Sequence, residues 1–355
     1  MPEHADLVRS IRRWESGKVA LMSERYRLLY CAVFQMDESV LFAETTEIGL
    51  SHPPTDTDSD LGKMTSLREA DRRIGGGHLY ATVIGYLEHD IAPRLFSGAD
   101  GPQAFIAAAA FTEMAGWMAH DVGKDNVADR HFHRALDFAG LSSDRQLQAH
   151  IMGSMSHLAL RTGHSRDAIG LAQRGVDTLV KTGTSAPATH ARLLAMAACG
   201  SAETGSVSEC SRLLIRAEDA LGHRPQNPPS AWTAPYDEAT LALDTARSML
   251  QLRKLIEAQH HARRFLTLRA ADRTRSRAFG QLVLARTLLK QDQLDEACAL
   301  ITSAAADTRS LSSLIVTQQL ADLREHLEAH REQRNVAECL EVLEHAYRER
   351  CWMYQ

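Results

Sequence analysis

From about Leu67 to the C-terminus, apolar residues recur three and four positions apart almost without interruption, and no stretch alternates apolar with polar as a half-buried strand does. That pattern predicts consecutive amphipathic helices and an all-α chain. The rhythm breaks at residues 222–235, GHRPQNPPSAWTAP, where four prolines forbid a continuous helix and predict a long loop. A smaller break falls at 181–187, KTGTSAP. Ahead of the helical stretch lie two further zones. Residues 1–45 are helical in pattern, and residues 46–66, centred on SHPPTDTDSD, read as a linker.

The helices from residue 67 to 355 repeat. Small residues at Ala128, Ala168, Cys210, Ala258, Ala297 and Ala337 fall into register at intervals of 39 to 48 residues. Five positions before three of these anchors stands a glycine (Gly123, Gly163, Gly205), with Asp292 in the fifth unit. A second set of small residues precedes the anchors by twelve positions: Gly116, Ser156, Ala198, Ala246 and Ala285. A third follows by seven, at Ala135, Gly175, Ala217 and Ala304, broken in the fourth unit by Phe265. Antiparallel helices approach closely only where small side chains face each other, and a glycine with positive φ ends the first helix of a pair. The pattern resembles the tetratricopeptide repeat, clearest in AGWMAHDVGKDNVADRHFHRAL, with longer units than usual and a degenerate sixth. The resemblance implies an α-solenoid whose inner helices line a binding groove.

On that alignment the groove-facing candidates are Glu113, Trp117, His120 and Asp121, then His150, His157 and Arg161. Arg192 and Glu203, Arg247 and Gln251, and Arg286 and Lys290 follow. Basic residues outnumber acidic ones on this face, which suits an anionic ligand such as a peptide carboxylate or an acidic segment.

The N-terminal segment DLVRSIRRWESGKVALMSERYRLLYCAVFQMDESVLF is a different object. Asp6 suits an N-cap, Ile11 and Trp14 share one helix face, and Gly17 stops the helix. Val8, Arg9, Arg12 and Arg13 lie on the other faces, where a helix docked in a DNA groove carries its base and phosphate contacts. The turn Trp14-Glu15-Ser16-Gly17 resembles the end of the recognition helix in Cro/repressor-type (XRE) helix-turn-helix domains. That resemblance covers about residues 6–45 and implies a partial domain, with the first two helices of the family lying upstream of Met1. LREADRRIGGGHLYATVIGYLEHDIAPRL, residues 67–95, resembles the segment joining such a domain to its repeats in bacterial regulators. AWTAPYDEATLA and DRTRSRAFGQLVLA resemble stretches of their repeat domains.

Composition narrows the field. The formal net charge is −5, so nucleic-acid binding requires a local basic patch. Residues 263–277 offer six arginines against Asp272, a pattern that reads first as a solvated helix end. Six scattered cysteines without a CxxC pair argue against a zinc ribbon or a disulfide framework, and no apolar run reaches membrane-spanning length. A cytoplasmic location is expected. Neither the HFH at 131–133 nor the glycine run at 75–77 has metal-site or nucleotide-loop spacing, and no nucleophile–base pairing is visible. No cofactor, no metal and no enzymatic activity are expected.

Two functions fit these features. The first is a transcriptional regulator whose repeats sense a peptide, small ligand or protein partner and control operator DNA binding as a homodimer. The second is a tetratricopeptide scaffold that mediates protein–protein interaction without binding DNA.

Overall fold

The first helix ends the same way in five of six helix pairs, and this repeated turn sets the architecture. In the computed structural model, φ is positive at Gly123, Gly163 and Gly205, and also at Arg253 and Asp292 in the next two units. The residue after each turns its amide back to a carbonyl five positions earlier: Lys124 to Ala119, His164 to Ala159, Ser206 to Ser201, Lys254 to Met249 and Gln293 to Leu288, all at 2.8–3.0 Å. This is the Schellman arrangement, which satisfies carbonyls left open at a helix end and reverses the chain.

The structure describes residues 56–351 other than His78, 98–100, 226–227, Ser310 and Ser312. All of these belong to one unit beginning at Pro54. Fifteen α-helices are described: α1 (Asp56–Ile74), α2 (Tyr80–Tyr86), α3 (Ala92–Ser97), α4 (Pro102–Asp121), α5 (Asp125–Leu141), α6 (Arg145–Arg161), α7 (Ser165–Lys181), α8 (Pro187–Glu203), α9 (Val207–Gly222), α10 (Glu238–Gln251), α11 (Leu255–Leu268), α12 (Thr274–Leu289), α13 (Leu294–Asp307), α14 (Leu314–Glu328) and α15 (Arg334–Cys351). A π-helical turn (Leu87–Ile91) joins α2 to α3. No strand occurs among the described residues.

From α4 onward the helices form six antiparallel pairs, each odd-numbered helix packed on its even-numbered predecessor. The even-numbered helices form an inner layer, and those from α4 to α12 are buried over most of their faces, whereas α14 buries one stripe. In α4 burial extends from Ala104 to Asp121 with few exceptions, and in α8 it includes Ala191, Leu193, Ala195 and Ala198. The odd-numbered helices form an outer layer with one apolar stripe, such as Ala168, Ala172, Gly175, Val176 and Leu179 in α7. The anchors Ala128, Ala168, Cys210, Ala258 and Ala297 are each 0% exposed at this seam. Ala337 is only half-buried, and Val336, Cys339 and Leu340 carry the seam in the sixth pair instead. Close approach is evident at Gly116, where a Cβ would lie 2.5 Å from the Phe132 ring.

The segment read as linker extends too far on the sequence evidence: residues 56–66 are the first turns of α1. Asp and Thr suit a helix N-terminus, where carboxylates meet the positive end of the dipole. Asp60 is buried there, accepting from Tyr86 Oη at 2.5 Å and pairing with Arg94 at 2.9 Å. Gly75, with φ of 85°, ends α1 as expected, and Gly76 lies so close to Met118 that no side chain would fit.

The array curves until its ends meet. Arg275, at the start of α12, pairs with Asp71 of α1 at 2.8 Å and with Asp121 of α4 at 2.9 Å. Asp121 also accepts from Ser313 Oγ at 2.7 Å, just before α14, and Leu314 packs beside Gly123. The proline-rich loop between α9 and α10 folds inward rather than outward. Trp232 joins the core around α4, Arg68 donates to its carbonyl at 2.5 Å, and Ser230 bonds Asp144 and Gln146 at the start of α6.

Candidate ligand cavity

The inner helices of all six pairs share one cavity. It has a volume of about 420 Å³ and takes residues from α4, α6, α8, α10, α12 and α14. A side chamber of about 230 Å³ shares Trp117, His157, Met196, Asp244 and Arg247 with it and is bordered by Ala234, Pro235 and Tyr236 of the inward loop.

Position within the repeat explains which residues arrive here. In α4, α6, α8, α10 and α12 side chains of the last two turns reach the centre, so His120, Arg161, Glu203, Arg247 and Arg286 gather from five helices, whereas α14 contributes Ile315 and Gln319 from its first turns. Leu160, Met196, Leu243, Phe279, Val283 and Ile315 supply apolar wall between them.

Beneath the side chamber lies a buried polar cluster. Glu113 accepts from Trp117 Nε1 at 2.8 Å and Ser154 Oγ at 2.6 Å, with His150 Nε2 at 3.4 Å. Arg192 donates to Ser154 Oγ at 2.9 Å and to the His150 carbonyl at 3.1 Å. Burial opposes ionisation of Glu113, but His150, Arg192 and the Ser154 hydroxyl outweigh it and hold the carboxyl well below the usual range. For His150, burial and the Arg192 charge prevail and push the imidazole down to about 4. The cluster is therefore a carboxylate–guanidinium pair with a neutral ring beside it at pH 7.

On the cavity wall, Trp117 stacks obliquely with His157 at 5.1 Å between centroids and edge-on with Phe132 at 5.5 Å. His120 bonds Asp125 at 2.6 Å. Burial, then His120 and Arg247, push His157 well below its ordinary value. Opposite, the buried Asp244 accepts from Tyr236 Oη at 3.0 Å and Arg247 at 3.2 Å. Its carboxyl is raised by burial against those two partners, and the neighbouring Cys199 thiol is pushed up to about 12 by burial and Asp244.

Of the sequence candidates, Trp117, His120, His157, Arg161, Arg247 and Arg286 line the main cavity, and His150 and Arg192 line the side chamber. Glu203 and Gln251 are on the wall as well. Glu113 lies within the polar cluster, and Asp121 is spent on the Arg275 contact. Lys290 caps the end of α12 and is exposed outside both chambers, because the helix stops one residue before it. Val8, Arg9, Arg12 and Arg13 lie outside the described residues. Sequence reasoning did not single out Asp244, Tyr236 or Cys199. The usable signal was Trp232 and Tyr236 in a polar, proline-rich loop, since two aromatics there imply a loop that is buried.

The basic excess on this face is mostly compensated. Arg192 meets Glu113 through Ser154 and His150, Arg247 meets Asp244, Arg286 meets Asp322 at 2.5 Å, and Arg275 meets Asp71 and Asp121. Arg161, accessible and on the cavity wall, has no hydrogen bond or ion pair among the described residues. Burial together with Arg247 and Arg286 lowers its pKa below the ordinary arginine range.

No protein-family model matches the chain, and no curated protein matches its sequence. Among solved structures, it is similar to a Rap protein complexed with competence and sporulation factor, with a TM-score of 0.51 over 86% of each chain. The fold is a tetratricopeptide-like α-solenoid. At 12% sequence identity the likeness between this solenoid and the Rap protein is one of backbone arrangement. The repeat spacing, the Schellman turns and the two-layer burial describe the same solenoid independently. No helix among the described residues is long and apolar enough to cross a membrane.

Proposed function

We propose that the repeats capture a short peptide, or a peptide segment of a protein partner, in the central cavity. The observation that carries this reading is the cavity itself. At about 420 Å³ it falls in the size range of ligand sites, and its lining combines apolar side chains with convergent polar and charged groups. The solved Rap complex, in which a similar solenoid is seen with a factor bound, supports it. Capture would then bias DNA binding by the N-terminal segment bearing Arg9, Arg12 and Arg13, in the manner of a repeat-containing helix-turn-helix regulator.

Selection of a display library of random linear peptides against the full chain tests the capture step. Enriched sequences should bind the wild type and lose binding in Met196→Trp, which fills the cavity, while thermal melts show both proteins folded. Enrichment that is indifferent to Met196→Trp refutes the reading.

A second reading, a scaffold without DNA binding, is favoured by one observation. The six arginines of residues 263–277 are all engaged within the chain: Arg263 with Glu296, Arg264 with Glu238, Arg269 with Asp237, Arg273 with Asp272, Arg275 with Asp71 and Asp121, and Arg277 with two carbonyls. They form no free phosphate-binding strip. Fluorescence anisotropy of labelled DNA from upstream of its own gene, with and without a selected peptide, separates the two. A peptide-dependent change supports the regulator; unchanged anisotropy in both conditions supports the scaffold.

A further inference from the structure

We infer that the cavity is selective for a ligand ending in a carboxylate, held by Arg161 between Arg247 and Arg286, with an apolar group directly behind it. The inference rests on the reading of the cavity as the ligand site and names the chemistry that site takes.

Arg161, Arg247 and Arg286 reach the cavity from the last turns of α6, α10 and α12 and lie near enough for each to weaken the charge of Arg161. Asp244 answers Arg247 and Asp322 answers Arg286. Glu203, the remaining acid on this wall, accepts a hydrogen bond from Ser165 of the outer layer. The formal charges on this wall therefore come close to balance, but Arg161 alone of the three arginines has no carboxylate in an ion pair with it. Partial negative charge at the end of α6 offsets it only in part, since a helix terminus carries roughly half an elementary charge.

One guanidinium without an ion-pair partner matches a monoanion better than a phosphate dianion, which Asp244 and Glu203 would repel. Guanidinium binds carboxylate through two parallel hydrogen bonds, a geometry that neutral polar groups do not reproduce. Leu160, Phe279, Val283 and Ile315 give the same cavity apolar wall, which suits an apolar group next to the carboxylate. The C-terminal end of a peptide with a hydrophobic last residue has this chemistry, and so does a small free acid with an apolar body.

The test uses the full chain and two synthetic pools of random hexapeptides with an apolar last residue, one with free C-terminal acids and one with C-terminal amides. Peptides retained through gel filtration are identified by mass spectrometry. The acid pool should be retained at least tenfold over the amide pool. Arg161→Gln should abolish that preference, whereas Arg166→Gln, exposed on the outer helix, should keep it. Displacement of the retained acids by N-acetyl-leucine would also support the site and assign it to free acids; acids that resist displacement support it and assign it to peptides. Equal retention of acids and amides overturns the inference and leaves the cavity reading standing, as does Arg161→Gln that melts lower but keeps the preference. Retention of neither pool overturns both.

Discussion

Arg275 joins helices more than 150 positions apart, and its removal has a calculable consequence. Replacing it with methionine keeps most of the side-chain volume and deletes the charge. Asp121, 0% exposed, would then be a buried carboxylate without a cation, and Asp71 would lose its partner at 2.8 Å. Breaking a buried pair by removing one member costs about 3–5 kcal/mol. Asp121 would retain the Ser313 hydroxyl at 2.7 Å and the Gly76 amide at 3.3 Å, so the expected loss is near the lower end, about 3 kcal/mol. The loss should depend on pH in a defined direction. Burial raises the Asp71 carboxyl and Arg275 lowers it, so in the variant that carboxyl rises further and the folded protein holds more protons than the unfolded chain. Stability then falls as pH rises through the folded pKa and is recovered on acidification. Urea unfolding of Arg275→Met and wild type at pH 7.5 and 5.5 measures both quantities. A loss below about 1 kcal/mol, or an identical loss at the two pH values, refutes the reasoning. Adding Asp121→Asn should restore part of the loss, giving a coupling of about 0.5–3 kcal/mol.

Three other outcomes follow from the same geometry. His150, pushed down to about 4, must stay neutral in the folded protein, so its stabilisation is complete above about pH 6.5 and fades as pH falls toward 4. Asp71 and Asp244, with raised carboxyl pKa values, act in the opposite sense, so the comparison is made by difference. Between pH 7 and 5 His150→Asn should lose stability less steeply than wild type, by on the order of 2 kcal/mol in urea titrations. Gly280→Ala places a Cβ 2.2 Å from the Phe265 ring and should destabilise by about 1–3 kcal/mol. Gly170→Ala, in α7 with nothing within 4 Å, should instead stabilise by about 0.5–1 kcal/mol, and paired thermal melts read the contrast. Cys199, with its thiol pushed up to about 12, should resist iodoacetamide at pH 8 in the folded protein and react readily in urea. Alkylation of the folded protein at the rate of a free thiol would count against the burial described.

The repeat was legible because its cause is local. Small residues at a helix seam and a positive-φ turn five positions earlier leave a period that one sequence displays. The fourth unit shows where that logic bends. Phe265 occupies a position that is small elsewhere, and it fits because Gly280 of the following inner helix makes room for its ring. Arg253 takes the left-handed turn that glycine fills in the first three units. Most groove candidates follow from the same register, but Glu113 lies in the buried cluster, Asp121 is engaged by Arg275, and Lys290 is exposed outside both chambers. The pairing of charges was not legible. Asp71 and Arg275 are 204 positions apart, and nothing in their neighbourhoods announces a partner. The linker reading missed α1 because Asp, Ser and Thr suit both a loop and a helix start, and burial of Asp60 against Arg94 decides between them.

The contact of α1 and α4 with α12 and the segment before α14 bears on how this molecule comes apart. An open repeat array is a one-dimensional system: it frays from its free ends, tolerates an added unit, and loses structure one neighbour at a time. Here the two halves of the array hold each other through Arg275, Asp121 and Ser313. Losing any intermediate pair would release that contact as well, so the six pairs should melt as one cooperative transition. Repeat number is constrained by the same contact, since one pair more or fewer would carry Arg275 out of reach of Asp71 and Asp121.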